Sequence, residues 1–167
     1  QEAFSGPSLR LYRNSDIVGV ELAGALKNVI AIGAGITTGL GLGNNTLAAL
    51  ITRGLAEITR LAVACGGQPR TLAGLAGLGD LVLTCHGALS RNRMVGLELA
   101  KGRSLADITG SMRMVAEGIH TTFAAMDLAR RHGVEMPIAT QMCAILRDGR
   151  PPSDAVRDLM ERTLKEE

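Results

Sequence analysis

A chain of 167 residues, 46% apolar, 20% charged and 2% aromatic, with 18 basic against 16 acidic side chains, has the size to bury one core without a covalent staple. Its 3 cysteines, Cys65, Cys85 and Cys143, form no CxxC pair and no even set, which fits a reducing, cytoplasmic setting better than an oxidised scaffold. A formal charge of +2, with only Phe4, Tyr12 and Phe123 able to stack on bases, argues against a nucleic-acid partner, and no apolar run approaches the roughly 18–20 residues of a membrane span or forms a signal peptide.

The chain opens on Gln1 instead of Met, as a processed chain or a piece of a longer one does. Over residues 8–13, Leu9 and Leu11 alternate with polar or aromatic neighbours, which predicts one short strand. No second strand follows, so it reads as the last piece of a sheet whose remainder lies elsewhere. Ser15 or Asp16 then caps a helix in which Val18, Leu22, Leu26, Val29 and Ile30 recur at helical spacing, to about residue 32. Gly33, Gly35 and Gly39, spaced GxGxxxG, predict an interhelical turn that Gly41 and Gly43 extend. A dinucleotide-binding turn would need a strand before it and an acid-tipped strand about 20 residues later; neither is present.

Asn44 or Asn45 caps a second long helix, whose stripe runs through Leu47, Ile51, Leu55, Ile58 and Leu61 and which Gly66 and Gly67 close. Pro69 suits the first turn of a helix to about residue 76. Asp80 caps a helix over 81–85, and Ser90 another that ends at Gly102. Ser104 with Asp107 resembles a capping box. Beyond a methionine-rich irregular stretch at 112–118, helices are expected over 121–132, 137–147 and 153–164, with Gly133 and Gly149 as stops. One short strand and seven or eight helices make an all-α domain.

Few polar groups stand out against this background. Lys27 lies among Ala23, Gly24, Ala25 and Leu26, where a lysine either snorkels to solvent or occupies a low-dielectric site and serves as a general acid or base. The Ser90-Arg91-Asn92 start of a helix either is solvated or supplies an anion site. Asp80 is by default a cap and Glu117 a loop acid. His86, His120 and His132 lack metal-ligand spacing to the cysteines, and the seven methionines sit mostly at core positions.

Taken together, these segments resemble one family. Gly-Val-Glu-Leu-Ala-Gly-Ala-Leu-Lys-Asn-Val-Ile-Ala-Ile (19–32), Leu-Ala-Gly-Leu-Gly-Asp-Leu-Val-Leu-Thr-Cys (75–85), Ser-Arg-Asn-Arg (90–93) and Val-Ala-Glu-Gly (115–118) are similar to bacterial-type NAD(P)-dependent glycerol-3-phosphate dehydrogenase. Phe-Ser-Gly-Pro-Ser (4–8) fits that family's junction between domains. The resemblance implies a helical substrate-binding half similar to the C-terminal domain of 6-phosphogluconate dehydrogenase. Residues 1–15 would then be the end of a Rossmann domain and the junction, and 16–167 the helical domain. It further implies Lys27 as the proton donor or acceptor at the C2 oxygen, with Asp80 orienting it. Lys27, Asp80, Ser90, Arg91 and Asn92 would bind the phosphorylated substrate, and Arg91, Val115 and Glu117 would line NAD(H) or NADP(H), which the missing domain mostly holds.

A homodimer, a role in phospholipid synthesis and an isolated chain without activity follow from the same resemblance. Two other readings are a helical domain of a ketopantoate- or hydroxyisobutyrate-type dehydrogenase, and a non-catalytic helical oligomerisation module.

Overall fold

A computed structural model describes residues 1–163. Its α-helices are α1 (Ile17–Gly39), α2 (Gly43–Ala64), α3 (Pro69–Leu72), α4 (Asp80–His86), α5 (Arg91–Ala100), α6 (Leu105–Ser111), α7 (Glu117–His132), α8 (Pro137–Asp148) and α9 (Pro152–Met160). A 3-10 turn at Glu2–Phe4 and a π-helical turn at Leu75–Gly79 complete the regular structure. The nine α-helices among the described residues exceed the seven or eight expected, and the expected end of the last helix at Leu164 lies outside the described residues.

The predicted strand does not form. Residues 8–13 are exposed, and their one ladder-like contact is an isolated antiparallel bridge in which Gly6 and Leu9 exchange backbone hydrogen bonds of 2.8 and 3.3 Å. Alternation alone cannot make a strand without a partner edge to pair with.

α1 is the axis of the domain, packed against α2, α4, α5, α7 and α8. Asp16 starts it: its Oδ1 accepts from the Gly19 N–H at 2.9 Å and its Oδ2 from the Gln68 N–H at 2.8 Å. These backbone hydrogen bonds, that from Gly19 foremost, hold the Asp16 carboxyl below its ordinary range. The helix then runs seven residues past its expected end at 32, straight through Gly33, Gly35 and the whole GxGxxxG segment. That segment is therefore no turn; the turn lies at Gly41 and Gly43, whose φ values of 69° and 79° are left-handed.

The reason is the partner helix. A Cβ on Gly35 would fall 2.0 Å from the Arg93 carbonyl oxygen, and one on Gly96 of α5 would fall 2.0 Å from the Ile32 carbonyl oxygen. α1 and α5 thus touch backbone to backbone, as small-residue helix pairs do. The same apolarity makes α1 long and apolar enough to cross a membrane by length and composition, contrary to the sequence expectation. More than half of that stretch is buried within the domain, where it supplies Val29, Ile30, Ile32 and Ile36 to the core.

Further boundaries move: α7 begins at Glu117, four residues before its expected start, so Glu117 is a first-turn helical acid and not a loop acid. α2 begins at Gly43 behind Leu42, so neither Asn44 nor Asn45 caps it. α3 stops at Leu72, and the chain continues as the π-helical turn; π turns of this kind often accompany functional sites. Asp80 makes no cap, because its carboxylate is engaged elsewhere. Ser90 and Ser104 do cap their helices, accepting from Arg93 and Asp107 N–H at 3.3 and 3.1 Å. Gly133 and Gly149 end α7 and α8 as expected.

Candidate functional site

Lys27 sits on the fourth turn of α1 with its side chain 21% exposed, neither snorkelled free nor sealed in the core. Its Nζ donates to Asp80 Oδ2 in an ion pair that spans α1 and the first residue of α4. The π-helical turn delivers Asp80 to this position: Gly77 lies so close to α3 that a Cβ there would be 2.0 Å from the Leu72 carbonyl oxygen. Thr84, one turn on, hydrogen-bonds the Asp80 backbone carbonyl at 2.7 Å and approaches its Oδ1 at 3.5 Å, so the carboxylate is braced from its own helix.

The next residue of α1 organises the rest. Asn28 is buried; its Oδ1 accepts from Asn92 Nδ2 at 2.9 Å, and Asn92 Oδ1 accepts from the Gly118 N–H at 2.8 Å. This relay joins α1, α5 and α7 at one point and fixes the orientation of both side-chain amides. It also places three sequence neighbours around that point: Lys27 beside Asn28, Arg91 beside Asn92, and Glu117 beside Gly118. Arg91 and Glu117 approach each other at 3.8 Å, with side chains 39% and 71% exposed. A pair so open contributes little stability, and the guanidinium keeps donors to spend. Gly118 permits the junction, since a Cβ there would be 2.7 Å from both the Asn28 carbonyl oxygen and Asn92 Oδ1.

The structure thus groups the predicted Lys27 with Asp80, and Arg91 with Glu117, around the Asn28–Asn92 link. Asn92 is only 8% exposed and already commits its amide within the protein. Ser90 commits its hydroxyl oxygen as the cap of α5, and Val115 stands exposed just before α7. Two residues escaped the sequence reading. Asn28 carried a signal, being polar beside Lys27 in an apolar helix, and Thr84 carried a fainter one, standing one helical turn after Asp80.

Chemically, the cluster offers a lysine ammonium held by a carboxylate and an arginine at a helix start, where backbone N–H groups and the helix dipole favour an anion. Val115, Arg91 and Glu117 are all accessible from outside, Val115 offering an apolar contact and Arg91 a guanidinium able to pair with an anion.

Residues 16–157 match the family described as NAD-dependent glycerol-3-phosphate dehydrogenase C-terminus. The chain is 69% identical over 163 residues to the glycerol-3-phosphate dehydrogenase (NAD(P)+) of Koribacter versatilis, an overlap of 97% of this chain and 48% of that protein. Its identity to the protein of the same name from Geobacter sp. strain M21 is 64%, over 100% of this chain and 50% of that protein. Among solved structures, the glycerol-3-phosphate dehydrogenase of Coxiella burnetii superposes with a TM-score of 0.91 at 46% identity, covering 96% of this chain and 50% of that one. The Saccharomyces cerevisiae enzyme superposes at 0.85 with 29% identity, covering 95% and 46%. The chain spans about half the length of the curated relatives it matches.

Proposed function

From the membership of this chain in the NAD-dependent glycerol-3-phosphate dehydrogenase C-terminal family, we propose that it is the substrate-binding half of an enzyme interconverting dihydroxyacetone phosphate and glycerol 3-phosphate. The observation that carries the reading is the pairing of Lys27 with Asp80, next to Asn28, whose side chain binds Asn92 in the first turn of α5. The matched region begins at residue 16, where Asp16 opens α1, which supports a division between a junction at 1–15 and the helical domain that follows.

In this reading the nicotinamide supplies a hydride to C2 when the cofactor is bound, and the full-length protein holds most of that cofactor outside this chain. The residues of this chain do the rest. Lys27 Nζ carries a proton to the C2 oxygen as that oxygen gains negative charge, and takes it back in the reverse direction. Asp80 fixes where the ammonium stands, and Thr84 fixes Asp80. Arg91 and the first turn of α5, held in register by Ser90 and by the Asn28–Asn92 link, grip the substrate phosphate. Val115 and Glu117 line the cofactor from the helical side. The enzyme is cytoplasmic and works as a homodimer supplying glycerol 3-phosphate to phospholipid synthesis.

The test is steady-state turnover of the full-length protein with dihydroxyacetone phosphate and NADH. Lys27→Met keeps the volume and removes the proton; kcat is expected to fall by about 10²–10⁴, the usual worth of a positioned acid–base group, with KM little changed. Undiminished turnover, or faster reduction of a non-phosphorylated keto acid than of dihydroxyacetone phosphate, would sink the proposal.

A further inference from the structure

Arg91 also borders an open cleft of about 650 Å³ between α5 and the segment that leads from α6 to residue 114. Met94, Val95, Ile108 and Met114 give it apolar walls. Its charged groups are Arg91, Arg103, Arg113 and Glu98. Glu98 is spent: it accepts from Lys101 at 2.7 Å and from Arg103 at 2.9 Å, and these hydrogen bonds hold its carboxyl below the ordinary range. Arg103 is spent with it. Arg113 is exposed and makes no ion pair or hydrogen bond among the described residues, while Arg91 has only the open contact to Glu117. Two guanidiniums with free donors therefore share a methionine-walled cleft in which no unpaired carboxylate offsets them.

A planar guanidinium fork matches the oxygens of a phosphate, and an apolar wall takes a flat ring, so the cleft is built for a ligand carrying both. Its volume lies within the range of whole cofactor sites, beyond what a three-carbon phosphate held between Lys27 and Arg91 requires. Met114 of its wall stands one residue before Val115 in the chain. On the reading given under Proposed function, we infer that Arg113 binds the diphosphate of the nicotinamide dinucleotide, so that the helical half grips the cofactor through its own arginine as well as lining it.

The experiment uses the full-length enzyme and follows the intrinsic fluorescence of NADH and NADPH on binding without substrate, alongside steady-state kinetics. Arg113→Gln is expected to weaken both cofactors roughly tenfold, the scale of one charge-assisted hydrogen-bonded contact, and to leave the KM for dihydroxyacetone phosphate within about twofold. Arg113→Lys, which keeps the charge without the fork, should fall between. Circular dichroism and thermal melting confirm that each variant folds, as an exposed side chain predicts. Unchanged binding of both cofactors overturns the inference. So does a loss confined to NADPH, which would place the ribose 2′-phosphate there, or a rise only in the KM for the triose phosphate. If the unsubstituted enzyme bound neither cofactor, the underlying reading would fall with it; normal binding by both forms would remove only the role of Arg113.

Discussion

Glu57 shows how a single buried acid can be costly and still complete a helix. It lies on α2, 2% exposed, and its Oε1 accepts from the Ile138 N–H at 2.7 Å while Oε2 accepts from the Ala139 N–H at 3.3 Å. It is thus the cap that the sequence around α8 does not provide, Met136 and Pro137 having no side-chain acceptor to offer. Burial dominates its acidity: desolvation pushes the carboxyl up from 4.5 to about 7 against the lowering pull of the two N–H groups and of Arg60 and Arg162. The folded chain therefore holds this proton more tightly than the unfolded one. The contribution of Glu57 is greatest below pH 4.5, declines as pH rises towards 7, and is level above that. Glu57→Gln keeps an acceptor for Ile138 and cannot ionise. Its stability relative to the parent, from urea unfolding, should therefore improve between pH 5 and pH 8 by up to roughly 3 kcal/mol. A difference independent of pH would show that Glu57 is ionised in both states.

At the scale of elements, the close seam between α1 and α5 sets the site. Lys27 and Asn28 ride on one helix, Arg91 and Asn92 on the other, and the backbone contact at Gly35 and Gly96 fixes their mutual register. Gly96→Ala would place a Cβ 2.0 Å from the Ile32 carbonyl oxygen, which no side-chain rotation relieves. The helices must separate, so we expect a loss of about 1–3 kcal/mol in unfolding free energy and, in the full-length enzyme, a fall in activity with it. Gly110→Ala, with open space around it, serves as the control and should be neutral or slightly stabilising.

The same seam explains what was legible in the sequence. Periodicity found α1, α2 and α5, and short-range chemistry found Asp16, Ser90 and Ser104 as caps, since each bonds an N–H three residues on. The caps of α7 and α8 come from Asn92 and Glu57, 26 and 81 positions away along the chain, and no local pattern announces them. Gly33 to Gly39 departs from the expected turn for a related reason. A glycine run signals a turn when only neighbours are considered, but here it is the groove that admits another helix. Lys27, Asp80, Arg91 and Glu117 could be named from motif order, yet their pairing depends on the π-helical turn and on Asn28, which are tertiary facts.

As a whole molecule the chain has a continuous core, from Ala23 in α1 to Ala155 in α9, so it should fold without further sequence. Its chemistry has no such completeness. The lysine–carboxylate pair and the arginine are partly open to solvent, where water competes for developing charge, and the family's proteins are about twice this length. Hydride transfer depends on holding donor and acceptor in near-attack geometry, an advantage that reaches several orders of magnitude and is forfeited when one of them is free in solution. These 167 residues alone should therefore unfold in one cooperative transition and still give no dihydroxyacetone phosphate-dependent oxidation of NADH above a protein-free control. Denaturation monitored by circular dichroism checks the first half of this, and absorbance at the nicotinamide band checks the second. Turnover by the isolated chain at a rate near that of the full-length enzyme would mean that the helical half positions the whole cofactor, and Arg113 would then be only one part of a much larger site.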